Sequence, residues 1–314
     1  MQRTLINRKE IENVGNFGVE LELVNVDKVT LIKALQLKHI SAYDAGYSHT
    51  INGRWKIVSD ASIQGNGGCE LVSPILNGQA GLKQLREVCL TLYFINAKVN
   101  DSCGLHVHHQ APNDLTDQHK TNLMKFYARL ERTIDAFMPA NRKRMNNRFC
   151  KSMVDAYWRL NTYTQLQHLG RYYKLNFQSL SRYGTIEFRQ HGGTIEFEKI
   201  YHWICFTANF LHNCKGKRSV SRMNYIERAW TPKHLKLSKR CWKFFKSRMI
   251  KLDDLDRSLQ NVRADNVSLV AIERVSPLQE HEAELTELDT EITELTEPMS
   301  FQTARWSMAQ LPQL

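Results

Sequence analysis

The sequence predicts an α+β fold, and three observations predict it. Three separate segments alternate apolar and charged residues with a period of two, the mark of strands with one buried face. Between them lie stretches whose apolar residues recur at helical spacing. Hydrophobic residues make up 42% of the 314, and aromatics 10%, enough for a sizeable core. No apolar run approaches the roughly 20 residues needed to span a bilayer.

The elements follow in order. Phe17-Gly-Val-Glu-Leu-Glu-Leu23 sets Phe17, Val19, Leu21 and Leu23 on one face and Glu20 and Glu22 on the other. Asp27 opens a helix with Val29, Ile32 and Leu35 on one stripe. Short strands are expected at 55–58 and 70–73, divided by the turn Gln-Gly-Asn-Gly-Gly, and a helix at 79–96 through Leu82, Leu85, Val88 and Leu92. Gly104-Leu-His-Val-His-His109 is a second alternating strand, with His106 and His108 opposite Leu105 and Val107. A helix then covers about 115–138, and the chain to Leu169 is helical in pieces. In the third patterned strand, Thr185-Ile-Glu-Phe-Arg-Gln-His191, the residues Thr185, Glu187, Arg189 and His191 share a face. Gly192 and Gly193 end it, and an apolar helix through Trp203, Phe206 and Phe210 follows.

Charge divides the chain. The formal net charge is +11, yet residues 280–297 hold eight acidic residues and no Lys or Arg, which leaves 1–279 at +18. Residues 215–251 carry 13 Lys or Arg and one acid, Glu227, with Trp230, Trp242, Phe244 and Phe245 between them. That composition suits an anionic partner or a solvated helix face; without a nucleic-acid-binding motif it does not specify nucleic acid. Leu285, Leu288, Ile292 and Leu295 give the acidic segment only about two heptads. Seven scattered cysteines with no Cys-x-x-Cys argue for reduced thiols. With a polar N-terminus lacking the apolar core of a signal peptide, they point to a cytoplasmic chain.

Carboxylates on a sheet face are costly to desolvate unless paired or ligated. Glu20, Glu22, Glu70 and Glu187 with His106 form a hard ligand set that suits magnesium or manganese better than zinc. Arg189, on the face of Glu187, adds a fork suited to phosphate. Carboxylate-held cations beside arginines are what phosphoryl transfer requires.

Six segments in order resemble one family: Phe17-Gly-Val-Glu-Leu-Glu22, Trp55-x-x-x-x-Asp60-x-Ser62, Glu70-Leu-Val-Ser-Pro74, Gly104-Leu-His-Val-His108, Arg171-Tyr-x-x-Leu-Asn176 and Gly184-Thr-Ile-Glu-Phe-Arg-Gln-His-Gly-Gly-Thr194. Together the chain resembles the putative amidoligases, carboxylate–amine ligases related to glutamine synthetase and glutamate–cysteine ligase. The resemblance implies a glutamine synthetase-like catalytic domain over 15–215, with a curved antiparallel sheet flanked by helices. A lead-in (1–14), a basic helical extension (216–279) and an acidic tail (280–314) surround it. It implies formation of an amide from a carboxylate and an amine, with ATP and Mg2+ (or Mn2+) and an acyl-phosphate intermediate. By motif, Glu22 and Glu70 ligate one metal, and Glu20, His106 and Glu187 a second. Arg189 and Arg171 serve catalysis and bind the nucleotide phosphates with His108, while Asp60 is a catalytic residue facing metal or amine. The substrates expected are an amino acid, polyamine, peptide or acidic polymer, and the related synthetases assemble into oligomers. Two other readings stay open: a basic nucleic-acid-binding protein on a retained ligase-like scaffold, and a metal-dependent hydrolase using His106 and His108.

Overall fold

A computed structural model describes residues 5–47, 50, 52–143, 147–159, 169–217, 226, 228 and 231–264. The acidic segment 280–297 and the expected helical pieces at 160–168 lie outside the described residues. Two compact units divide the chain, Met1–Ser258 and Leu259–Leu314; everything below concerns the first.

The fold is mixed α and β, built on an open sheet that is mostly antiparallel. Its strands are β1 (Asn16–Leu23), β2 (Ala42–Gly46), β3 (Trp55–Val58), β4 (Cys69–Val72), β5 (Leu76–Asn77), β6 (Gly104–Gln110), β7 (Leu175–Asn176) and β8 (Thr185–Gly192). The spatial order is β2-β3-β4-β1-β6-β8-β7, with β5 pairing β1. Only the β2–β3 pair is parallel among these strands. The three patterned segments, β1, β6 and β8, are contiguous at the centre. The helices are α1 (Lys28–Gln36), α2 (Gly78–Phe94), α3 (Asp117–Asp135), α4 (Ala140–Lys143), α5 (Met153–Arg159), α6 (Ser179–Tyr183), α7 (Phe197–Cys214), α8 (Thr231–Leu235) and α9 (Lys239–Ala264).

Local chemistry starts these helices as expected. Asp27 caps α1 by accepting from the Thr30 amide at 2.7 Å, and Thr116 caps α3 in a reciprocal box with His119. Phe17, Val19, Leu21 and Leu23 of β1 are buried with Leu105 and Val107 of β6 and Ile186 and Phe188 of β8. Against that face lie Leu82, Leu85 and Leu92 of α2, Tyr127 of α3, and Trp203, Phe206 and Phe210 of α7. Phe188 meets Tyr127, Trp203 and Phe210 at ring distances of 5.8–6.5 Å. Strands β2, β5 and β7 escape the sequence pattern because they are short and lack alternation.

The basic stretch is not uniformly solvated. Cys241, Phe245 and Met249 of α9 are buried in the same core, with Phe245 4.4 Å from the ring of Phe137. Arg248 Nε donates to the Phe137 carbonyl and Arg240 Nη1 to that of Leu5. Lys239, Lys243 and Lys246 face water. The lead-in is tied to this helix through buried Glu10, which accepts from Tyr201 and Ser238 hydroxyls at 2.8 and 2.5 Å. All seven cysteines are buried and free; burial pushes the Cys69 thiol up to about 11.

One register departs from simple alternation. Leu105 pairs with His191 but Val107 with Phe188, so β8 holds one residue more than β6 between these pairs. This bulge turns the chain by one position. His191, expected beside Glu187 and Arg189, is therefore buried against Trp203, with ring centroids 5.7 Å apart.

Candidate active site

On the face away from the core, the sheet lines a cavity of about 1010 Å³. The strand order assembles it. Glu22 lies opposite Glu70 across β1–β4, Glu20 opposite His106 across β1–β6, and His108 opposite Glu187 across β6–β8. Four strands thus place four glutamates and two histidines side by side, although the residues span positions 20 to 187.

His106 Nδ1 lies 2.9 Å from Glu20 Oε2, 3.7 Å from Glu187 Oε1 and 4.0 Å from Glu70 Oε1, while its Nε2 is 3.5 Å from Glu22 Oε1. His108 Nε2 sits 3.2 Å from Glu20 Oε1 and 3.9 Å from Glu187 Oε1. Glu187 is clamped from two sides: Arg189 Nη1 donates to Oε1 and Asn176 Nδ2 to Oε2, the latter at 2.6 Å. Asn176 Oδ1 also accepts from the Gln178 amide, so the residue forms its turn and orients Glu187 together. Glu22 Oε2 accepts from the Gly104 amide at 2.6 Å.

Ligand atoms fall into three groups in which each atom lies within 4.8 Å of the others: Glu20–His108–Glu187, Glu20–Glu70–His106 and Glu22–Asp60–Glu70. Asp60, in the loop after β3, is held by the Ser62 amide and hydroxyl at 2.7 Å each. It supplies a third carboxylate beside Glu22 and Glu70. His108 as well as His106 reaches Glu20, so both imidazoles belong to the cluster. Arg171 stands apart. It is exposed at the cavity rim, donates to the Tyr172 hydroxyl at 3.0 Å, and makes no ion pair with the carboxylates among the described residues. Tyr172 links it to the centre, since the Arg189 guanidinium lies 5.9 Å from the same ring.

The electrostatics divide the cluster. Burial opposes ionisation of Glu20, yet His108 and His106 hold its carboxyl well below the usual range. Burial likewise opposes ionisation of Glu187, and Arg189 and His108 outweigh it. Glu70 goes the other way, raised well above the usual value by burial and by the charges of Glu20, Glu22 and Asp60. Burial lowers His108, but Glu187 and Glu20 bring it above the ordinary histidine value.

A divalent cation fits this donor set. The ligands are carboxylate oxygens with one or two imidazoles, suited to magnesium or manganese. His108 Nε2 is buried with no hydrogen-bond partner among the described residues, 3.2 Å from a carboxylate oxygen. Glu70 is destabilised by like charge that a cation would neutralise.

Sequence reasoning missed three cationic residues that line the cavity, Lys56, Arg142 and Arg182. Lys56 is the lone charge in the otherwise apolar strand β3, a signal that was present. Burial lowers its ammonium, with Glu20 and Glu70 opposing. Arg142 sits in α4, where nothing local marks it.

A family model described as "Putative amidoligase enzyme" matches residues 14–211. No curated protein sequence matches the chain. Among solved structures, the chain is similar to a bifunctional glutathione synthetase from Pasteurella multocida, at 13% identity and a TM-score of 0.38. That likeness covers 83% of this chain and 51% of the other, so this chain spans about half of that protein's length. No described helix is long and apolar enough to cross a membrane.

Proposed function

The chain belongs to the amidoligase enzyme family, and on that premise we propose that it forms an amide from a carboxylate and an amine, with ATP as phosphoryl donor. The observation that carries this reading is the set of three overlapping ligand groups on one sheet face, with Arg189 against Glu187. The glutamine synthetase-like arrangement of the sheet is part of the same proposal.

Glu22, Asp60 and Glu70 would hold one divalent cation, and Glu20, Glu187 and the two imidazoles a second. Magnesium, or manganese in its place, supplies charge neutralisation and polarises phosphoryl oxygens when bound there. Glu20 and Glu187, kept ionised by His108 and Arg189, offer donor oxygens that need not lose a proton first. A cation held there would offset the like charges that raise Glu70 and so favour its ionised, ligating form. Asn176 and Arg189 fix the plane of the Glu187 carboxylate. The remaining N–H groups of Arg189 steady the phosphoryl group as it passes from ATP to the acid, where an O–P bond forms and the bond to ADP breaks. Arg171 guards the rim through Tyr172. The amine nitrogen then attacks the acyl carbon, phosphate departs with the electron pair of the C–O bond, and the amine proton is released. The products balance as amide, ADP and phosphate.

The test is ADP release from ATP and Mg2+ across pairs of acids and amines. Glu20→Ala and Glu187→Ala should each abolish it while remaining folded by circular dichroism. Unchanged turnover in both variants overturns the assignment. AMP in place of ADP would mean adenylation instead.

A further inference from the structure

Arg142 is 3% exposed and lines the cavity; its main-chain amide donates to the Pro139 carbonyl, yet its side chain makes no hydrogen bond or ion pair among the described residues. Its Nε is buried without a partner. A guanidinium cannot shed its charge, and burying it unpaired is costly. Arg189 in the same cavity shows the ordinary solution, neutralisation by Glu187.

The path of the Arg142 side chain is built into the sheet. Gly104 of β6 and Gly192 of β8 are paired in register. A Cβ on Gly192 would lie 3.9 Å from Arg142 Cγ and 2.7 Å from Pro139 Cγ. One on Gly104 would lie 2.7 Å from Arg142 Nη2 and 3.1 Å from His106 Nε2. The two glycines leave a channel along which the stem crosses β8 and the guanidinium settles on β6. It ends beside His106, next to the backbone amide that holds Glu22. Both glycines belong to segments that resemble the family, and neither carries chemistry of its own.

We propose that Arg142 is an oxyanion-binding residue of this site, receiving a phosphate or carboxylate group at the Gly104–Gly192 end of the cavity. This rests on the reading of the cavity as a ligase site. A planar fork of donors fits either oxyanion edge-on. The two sources are the nucleotide phosphates and the carboxylate of the acid substrate.

Calorimetric titration of the full chain with ATP, ADP, inorganic phosphate and a panel of amino acids, all with Mg2+, separates them. Arg142→Met should weaken at least one of these probes by about 10- to 100-fold. Arg142→Lys, which keeps charge but loses the fork, should not restore it fully. Loss for ATP but not ADP assigns the terminal phosphoryl group, and loss for both assigns the diphosphate. Loss confined to amino acids assigns the acid. Without ligand, Arg142→Met should melt at or above the wild-type temperature because an unpaired buried charge is gone; an arginine that only braces the fold would lower it. Gly104→Ala should reproduce the binding loss by displacing Nη2. Wild-type affinity of Arg142→Met for every probe overturns the proposal, as does a wild type that binds none of them. If wild type binds an oxyanion through Arg142 but releases no ADP with any substrate pair, the ligase reading fails and the residue's role stands. If Arg142→Met releases ADP at the wild-type rate, the role falls and the ligase reading stands.

Discussion

His108 and His109 are consecutive in β6, and the two faces of the sheet treat them in opposite ways. His108 looks into the cavity, where Glu20 and Glu187 draw it above the ordinary histidine value against the effect of burial. His109 looks into the core, 2.7 Å from the Thr207 hydroxyl and 5.8 Å from the ring of Phe188, and burial drives it down to about 3. Both side chains are buried, so exposure does not distinguish them. The company on each face does: carboxylates on one side, apolar helices on the other. The core face is organised for packing, while the cavity face leaves like charges close together and a guanidinium unpaired among the described residues. Unsatisfied groups of that kind lower stability and suit a ligand-binding surface.

The comparison can be broken most forcefully at Phe188, whose ring meets three aromatic neighbours from α3 and α7. Phe188→Ala should cost about 3–5 kcal/mol of stability, read as the shift in a urea unfolding midpoint. A loss under 1 kcal/mol would mean the core face is not the main source of stability.

Acid should reveal the core histidine next. The folded value of His109 is depressed below the ~6.5 of an unfolded chain. The unfolded state therefore binds the extra proton first as pH falls. The stability that depends on neutral His109 is fully present above about pH 6.5 and is lost progressively toward pH 3, up to about 5 kcal/mol. His109→Gln should flatten this slope in chemical denaturation between pH 7 and 4. His202, also lowered to about 3 by burial, keeps part of the slope in that variant. An identical slope in the variant would place the titration elsewhere.

The smallest effect lies across the sheet. Glu70 has a raised folded value, so its ionisation opposes folding above the ~4.3 of an unfolded glutamate. Glu70→Gln in chelator should raise stability at pH 7, read as a higher urea midpoint than wild type. Adding Mg2+ should then stabilise wild type more than the variant, measured as the difference in melting temperature. A variant that gains as much from Mg2+ as wild type would remove Glu70 from the cation site.

Alternation made much of the site legible. It grouped Glu20 with Glu22, His106 with His108, and Glu187 with Arg189. Asp60 was legible through its motif as facing metal or amine, and its place beside Glu22 and Glu70 came from the fold of the loop around Ser62. Asn176 entered the sequence reading only at the end of the Arg171-Tyr-x-x-Leu-Asn176 segment; it forms a turn, while its amide also orients Glu187. His191 was misplaced by the same rule that placed Glu187, because a bulge adds a residue that leaves no mark in composition. The basic segment read as a charged surface, but its apolar residues at helical spacing are core, and Arg248 pairs with main chain.

By itself, then, the sequence determined most strand faces, the approximate helix positions and the family. The first two repeat over two to four residues and follow from backbone geometry, while the family was carried by six motifs in order. Only the tertiary structure decided which faces meet: β4, β1, β6 and β8 in one row, with Glu70, Glu20, His106 and Glu187 abreast. It also laid Arg142 across Gly104 and Gly192, neighbours across β6–β8 that are far apart in sequence. The physical reason is that register between residues as far apart in sequence as Glu20 and His106, 86 positions, is set by hydrogen bonding and packing across the whole sheet. No local period encodes it.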